Sequence, residues 1–491
     1  MKLVFSVLTA LAFLPAKAQD SSISYEIEAS GTVASGSYAP LWLTANRYGM
    51  TSNEPQSAYL RAGIGYHRNL KHHWNIQAGL DLATGIQTTS AVWVQQAYCD
   101  FSWKKLCLSV GSKERDGFPL EKNNRLTSGW MTEGPNTRPI PQVRGEIKEY
   151  LGIPFLGNWL ALKGHLAYGS FLDGRWQKNH TSNGQYFTRD TKYHSKSLLF
   201  RLGKKEIFPL EFEFGLIMAT QFGGSRYVKE KDGSVRKTAD MPDDPGAYWS
   251  AFFPQAGGSD TSEYEQMNVE GNMLGSWNFA LNGYAGDWKI RIHLDHYFED
   301  HSQMFWEYGR WKDGQIGLEI TPPKNRWISA ILWEGMSTYD QTGPIQYEDR
   351  WGTLEGMQTS GNDNYYNHSI YNAWQHYGLG MGNPLLPGPL YNKDGSISFR
   401  SNRVKAQHIG ISGEPNKEWN WRLLVTYARY WGTYNYPLDK VRKQFYSLAE
   451  ATYSPRWAPG WSLSVSGAMD RGNYLGNSTG GMLTLRKKGV F

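Results

Sequence analysis

Cysteine is nearly absent. The 491 residues carry two, Cys99 and Cys107, which excludes a disulfide-stapled scaffold or a Cys-rich zinc module. Long apolar stretches are missing as well. Past the N-terminus no run of about 18 or more apolar residues occurs, so no helix is long and apolar enough to span a membrane. The net charge is only +6, too mild a balance to argue for nucleic acid. Signatures of chemistry are also scarce. The twelve His show no H-E-x-x-H and no paired metal spacing. Asp363–Asn367 lacks the spacing and terminal Glu of a Ca²⁺ loop. Gly476-Asn477-Ser478-Thr479-Gly480 fits G-x-S-x-G, but a nucleophile elbow needs a strand–turn–helix setting. Here strand-like segments flank it on both sides, so it reads as a turn. No catalytic residue, metal site or cofactor is assigned, and the chain is read as non-enzymatic.

Aromatic residues are plentiful, at 14%, with 21 Trp and 30 Tyr beside 53 Gly. The N-terminus, MKLVFSVLTALAFLPAKAQ, has Lys2, an apolar run from Leu3 to Leu14, and Ala16-Lys17-Ala18 before Gln19. That is the pattern of a secretory signal peptide over residues 1–18, too short to span. No Cys follows the apolar run, which argues against a lipid-anchored lipoprotein. Cleavage removes Lys2 and Lys17, leaving 49 basic against 45 acidic residues, a net +4. An exported chain permits a disulfide. However, Cys99 alternates with Trp93, Ala97, Phe101 and Trp103, whereas Cys107 alternates with Ser109 and Gly111. The unlike faces predict free thiols.

The dominant pattern has period two. In Asp287–Glu299 one face carries Trp288, Ile290, Ile292 and Leu294, and the other Lys289, Arg291, His293, Asp295, Tyr297 and Glu299. Glu418–Trp431 sets Trp419, Trp421, Leu423, Val425 and Tyr427 against Asn420, Arg422 and Thr426. A soluble sandwich also alternates. Three further features favour a membrane barrel. Apolar faces begin with Trp at the turn end: Trp74, Trp159, Trp288, Trp327, Trp419 and Trp461, as an interfacial aromatic girdle would. The opposite faces are ionic, which suits a wet or ion-paired lumen. The segments are long enough for tilted spanning strands.

Eighteen strands are predicted, from 23–33 to 480–490, with short turns alternating with long connections at 113–141, 171–194, 222–273, 300–313 and 337–402. The expected fold is all-β: one transmembrane antiparallel β-barrel over residues 19–491, termini in the periplasm, long loops outside and plugging the lumen. Loops of this length are out of place in a compact soluble domain. The final segment, GGMLTLRKKGVF, reads as the closing strand. Phe491 resembles the terminal signal by which barrel-assembly machinery recognises its clients. Lys487 interrupts the apolar face and is expected to snorkel to headgroups of the outer-membrane lipid.

The loops carry a second pattern. Gly361–Tyr391 interleaves Tyr365, Tyr366, Tyr371, Trp374 and Tyr377 with Asn362, Asn364, Asn367, Asn372 and Gln375. Glu299–Trp311 supplies Phe305, Trp306, Tyr308, Arg310 and Trp311. Aromatic faces accept the C–H side of a sugar ring, while amides and Arg bond its hydroxyls and carboxylates. Trp306, Tyr308, Arg310, Trp311, Tyr365, Tyr366, Asn372, Trp374 and Tyr377 are therefore candidate polysaccharide contacts. The same composition would equally pack loops into a cap. Pro40-Leu41-Trp42-Leu43-Thr44-Ala45-Asn46 is too apolar for an exposed loop. Leu41, Trp42 and Leu43, with Arg138 in the stiff Thr137–Pro141 segment, are expected to plug the lumen.

These stretches resemble the Wzi capsule-assembly proteins in their Bacteroides-type form. The resemblance rests on PLWLTANRYGM (40–50), PNTRPIPQVR (135–144), YHSKSLLFRLG (193–203), GNMLGSWNFAL (271–281), GNDNYYNHSIYNAWQHYGLGMGNPLL (361–386) and SNRVKAQHIGISG (401–413). It implies an eighteen-stranded outer-membrane barrel, a lumen closed by loops, and a lectin-like role in anchoring capsular polysaccharide or exopolysaccharide. A channel or exporter for polymer or small solutes is the alternative, and an outer-membrane hydrolase a third reading.

Overall fold

Alternating residues commit the chain to strands, and the strands close on themselves. The computed structural model describes residues 21–253, 271–299, 304, 312–343, 345–348, 357–360 and 363–491. Residues 1–18, expected to be a signal segment, and the candidates Trp306, Tyr308, Arg310 and Trp311 lie outside the described residues. Eighteen antiparallel strands form one sheet. They are β1 (Ser21–Ser35), β2 (Gln56–Asn69), β3 (Trp74–Ile86), β4 (Val92–Trp103), β5 (Leu106–Ser112) and β6 (Gln142–Gly152). Next come β7 (Leu160–Ser170), β8 (Lys192–Leu202), β9 (Leu210–Phe222), β10 (Asn272–Ala285), β11 (Trp288–Phe298) and β12 (Gly314–Thr321). The last are β13 (Ala330–Ser337), β14 (Val404–Gly413), β15 (Trp419–Gly432), β16 (Pro437–Tyr453), β17 (Trp461–Gly472) and β18 (Ser478–Val490). Each pairs with its sequence neighbour, and β18 pairs with β1 from Val490↔Ser24 to Thr479↔Ser35. Closure leaves no sheet edge. The eighteen strands expected from alternation are the eighteen observed.

The faces follow the period. On β11, Ile290 and Ile292 are 42% and 45% exposed on the outer wall, while Arg291 and His293 are 5% and 1% exposed inside. Trp74, Trp159, Trp288, Trp327, Trp419 and Trp461 are all exposed at the end where β1 begins and β18 finishes, here the terminal end. Phe491 joins this rim. Its ring centroid lies 4.9 Å from that of Tyr25, and its N–H donates to Ile23 O at 2.8 Å. Lys487 bends back so that Nζ donates to Pro459 O at 2.7 Å, over the Trp461 ring.

Turns at the terminal end are tight. Lys104 (φ +51°) and Gly286 (φ +57°) take the left-handed backbone that two-residue hairpin turns require. All the long connections leave from the opposite end. One of them, 223–271, carries the helix Pro245–Phe252.

Two sequence details change. A bulge shifts the β3–β4 register between Asp81 and Leu82, so that Asp81 faces Gln96 and Leu82 faces Val94. The extra residue turns Trp93 into the lumen, 7% exposed, off the face of Cys99. Cys99 and Cys107 are nevertheless free thiols, Cys107 buried inside the barrel and Cys99 half-buried. Ser478 of the G-x-S-x-G stretch opens β18. Its Oγ lies 2.7 Å from both Ser35 O and Tyr38 O, which makes it a structural clasp.

Candidate functional site: a lumen filled by loops, a cavity beneath it and a rim above

Three loops turn inward because their apolar residues find a dry surface only inside the barrel. In the first, the short helix Leu41–Thr44 lies wholly buried. Leu41, Trp42 and Leu43 are 1–2% exposed. Leu41 N donates to Asp470 Oδ2 of β17 at 2.9 Å.

The second loop, 113–141, leaves β5 and crosses the lumen to the far wall. Lys122 Nζ lies 2.5 Å from Asp295 Oδ2 of β11 and also donates to Gln315 of β12. Thr127 Oγ1 and Ser128 N and Oγ converge on the Glu334 carboxylate of β13 at 2.6–2.7 Å. Four donors and acceptors then run in series. Trp42 Nε1 donates to Thr426 Oγ1 at 3.1 Å, and Thr426 lies 2.7 Å from His408 Nδ1. His408 Nε2 lies 2.6 Å from Leu126 O. A carbonyl only accepts, so the His408 proton sits on Nε2 and Nδ1 accepts from the Thr426 hydroxyl. One strand histidine thus fastens two loops.

The third loop, 363–403, lies on the second. Tyr366 OH donates to Met131 O, and Trp374 Nε1 donates to Thr132 O at 2.7 Å. Asn136 Nδ2 donates to Gly380 O at 2.8 Å. The first and second loops are joined through Asn46 N and Asn136 Oδ1 at 3.1 Å. The first and third are joined through Asn53 Nδ2 and Leu390 O at 3.0 Å.

This packing locates the candidate residues. Tyr365, Tyr366 and Trp374 are 0% exposed. They offer no surface to a sugar, because the plug needs them as its own core. Asn372 and Tyr377 are half-buried. Arg138 is buried with its guanidinium between the Trp93 ring (4.3 Å) and the Tyr377 ring (4.5 Å). Its Nη atoms donate to Ser90 Oγ and Thr89 Oγ1. Burial pulls it down to about 10, still a cation at neutral pH. Composition gave no sign of the role of Lys122, Leu126 and Ser128, whose partners are about 170–280 residues distant in sequence.

Beneath the plug, towards the terminal end, lies a cavity of about 880 Å³. Glu28, Tyr59, Arg61, Asp81, Tyr98 and Arg486 line it, with Arg47 and Tyr48 overhead. Three of its arginines are paired. Arg61 bridges Asp81 and Glu114, Arg486 bridges Glu28 and Glu26, and Arg47 lies 2.8 Å from Glu450. Above the plug, a sheet of Tyr186–Arg189, Ser225–Lys229 and Val235–Asp240 stands at the long-loop end. There Arg226 lies 3.9 Å over the Tyr186 ring, and Tyr186 is 40% exposed.

No family model and no curated protein matches the chain. Solved structures do. Wzi of Escherichia coli, described as an outer-membrane protein involved in group 1 capsule assembly and a carbohydrate-binding β-barrel, aligns with a TM-score of 0.55 at 13% identity, over 94% of this chain and 83% of that one. OccAB4 of Acinetobacter baumannii aligns with a TM-score of 0.48 at 9% identity, over 97% and 100% of the two chains. OprD of Pseudomonas aeruginosa gives 0.47 at 11% identity, over 96% and 94%. The fold of this chain is that of an outer-membrane β-barrel, similar to Wzi.

Proposed function

We propose that the protein is a non-enzymatic, lectin-like outer-membrane barrel that binds and anchors capsular polysaccharide or exopolysaccharide, with its long loops facing the cell exterior. The plug carries this reading. Three loops fastened to each other by hydrogen bonds, the second of them tied to the wall by the buried Lys122–Asp295 pair, make a rigid platform, where a diffusion pore needs a clear path. The rim offers an exposed aromatic beside a cation, Tyr186 with Arg226, and the third loop adds the half-buried Tyr377 and Asn372, the chemistry that holds sugar rings and their acidic groups. The carbohydrate-binding description of the similarly folded E. coli protein supports the same reading. Barrel-assembly machinery, reached through Phe491, is the proposed assembly partner. Passage of polymer or small solutes is the second reading, favoured by the ionic cavity beneath the plug.

Deleting the gene in a polysaccharide-producing strain tests the proposal. Polymer is expected to move from the cell surface to the medium while total synthesis continues. Unchanged surface polymer would overturn the lectin role.

A further inference from the structure

The outer wall of β7–β9 differs from the rest of the apolar belt. On β8 Leu198 and Leu202 face outward, 47% and 49% exposed, while Tyr193, Ser195, Ser197 and Leu199 are buried inside. Alternation therefore points His194 and Lys196 outward. The same argument puts Tyr168 of β7 and Phe222 of β9 on the outside, since they share faces with Leu166 and Phe212. A helix from the 223–271 loop, α1 (Pro245–Phe252), is laid over this patch.

The helix is built for that position. Asp244 caps it, with Oδ1 accepting from Ala247 N at 3.0 Å, and Pro245 opens it. Ala247 and Ala251, 4% and 3% exposed, let it approach Phe222 and Tyr168 closely. Tyr168 OH donates to Tyr248 O at 2.9 Å. The face turned away from the barrel is apolar. Trp249 and Phe253 are 59% and 47% exposed, their rings 4.8 Å apart. This face is continuous with the belt residues Leu166, Leu198 and Leu202.

Lys196 lies beneath the edge of the helix. Its Nζ is 4.6 Å from the Phe252 ring centroid and 5.9 Å from that of Phe253. Among the described residues no carboxylate pairs with it. Its nearest charged or titratable companion on the wall, His194, has Nδ1 committed to Ala167 O at 2.9 Å. A cation on the lipid-facing wall is costly towards the midplane and is tolerated near the headgroups. Towards the turn from this level the wall is Leu198, Phe200 and Leu202, and towards the long-loop end it is covered by α1. Lys196 thus sits at the upper boundary of the belt, where interfacial aromatics collect.

We infer that α1 and Lys196 form a lipid site, in which Trp249 and Phe253 enter the leaflet at the long-loop end and the Lys196 ammonium binds the phosphate of a phosphorylated glycolipid headgroup. The choice of glycolipid rests on the reading that the long loops face outward.

The test uses the detergent-purified full chain and measures retention of diphosphoryl lipid A, and of the same lipid with its phosphates removed, by native mass spectrometry. Lys196→Met is expected to weaken binding of the phosphorylated lipid about tenfold, as for loss of one charge-assisted contact. Its binding of the dephosphorylated lipid is expected to match wild type. Lys196→Arg is expected to keep both, and Trp249→Ala to weaken both. Heat-modifiable migration of each variant confirms that it is folded. Equal retention of phosphorylated lipid by wild type and Lys196→Met would overturn the site. So would displacement of the lipid by inorganic phosphate, which would make it a free-anion site. Antibody access, on intact cells, to a tag inserted between Asp232 and Gly233 reads the orientation separately.

Discussion

Lys122 Nζ and Asp295 Oδ2 lie 2.5 Å apart, with both side chains buried and 173 positions apart in the sequence. The pair ties the loop that starts on one wall of the barrel to the opposite wall. Removing one partner of a buried pair strands the other charge, at a cost of about 3–5 kcal/mol. Lys122→Met is therefore expected to release the 113–141 loop without opening the barrel. Single-channel recordings in planar bilayers check this. Wild type should be silent or nearly so, and the variant should show frequent openings. The double variant Lys122→Met, Asp295→Leu removes both charges and should return most of the silence.

Trp42 fills the lumen beside His408, with ring centroids 5.2 Å apart, and opens the hydrogen-bond series to Leu126. Trp42→Ala should cost about 3–5 kcal/mol through the cavity it leaves. Because the cost falls on the plug, proteolytic nicking within 36–55 should rise while the unboiled band on SDS gels stays in place.

His376 joins the third loop to the second. Its Nδ1 lies 2.9 Å from Arg138 O, so Nδ1 carries the proton, and its Nε2 accepts the Leu172 N–H at 3.5 Å. Burial first, against the opposing pull of Asp173, holds its pKa below the usual value of 6.5. Below that pH the unfolded loop binds a proton that the folded loop refuses, so the stability of the cap falls with acidification and is full above it. Proteolysis of 363–403 should accelerate between pH 7.5 and pH 5, and His376→Gln should reduce that dependence, leaving the part that the buried His368 of the same loop contributes, its pKa lowered by burial to about 3.

Much of this was legible in the sequence, and the reason is geometric. Period two is a local property, so the eighteen strands, their faces and the Trp rim could be read from runs of about ten residues. The plug could be read only where it was most apolar, at Leu41–Leu43. Lys122, Ser128 and Glu334 look like ordinary loop and strand residues until the barrel brings them together. Tyr365, Tyr366 and Trp374 have the composition of a sugar surface. They are buried because the barrel interior holds a second core, and composition does not distinguish a core from a surface when both use aromatics with polar tips. The bulge that turns Trp93 inward left no mark in the alternation.

A closed barrel of this kind resists SDS until heated. Protein extracted from outer membrane is expected to run at a shifted position unboiled and at its full mass after boiling. Recovery only in the soluble periplasmic fraction would contradict the membrane barrel.

The most direct measurement is binding of the strain's own purified surface polysaccharide to the detergent-purified barrel, followed by biolayer interferometry. The account predicts saturable binding that weakens at least about tenfold in a Tyr186→Ala, Arg226→Ala variant, as expected when an aromatic and a charged contact are removed together, with no conductance in the wild type. Absence of binding, together with stepwise conductance through the unmodified barrel, would contradict it and establish the channel instead.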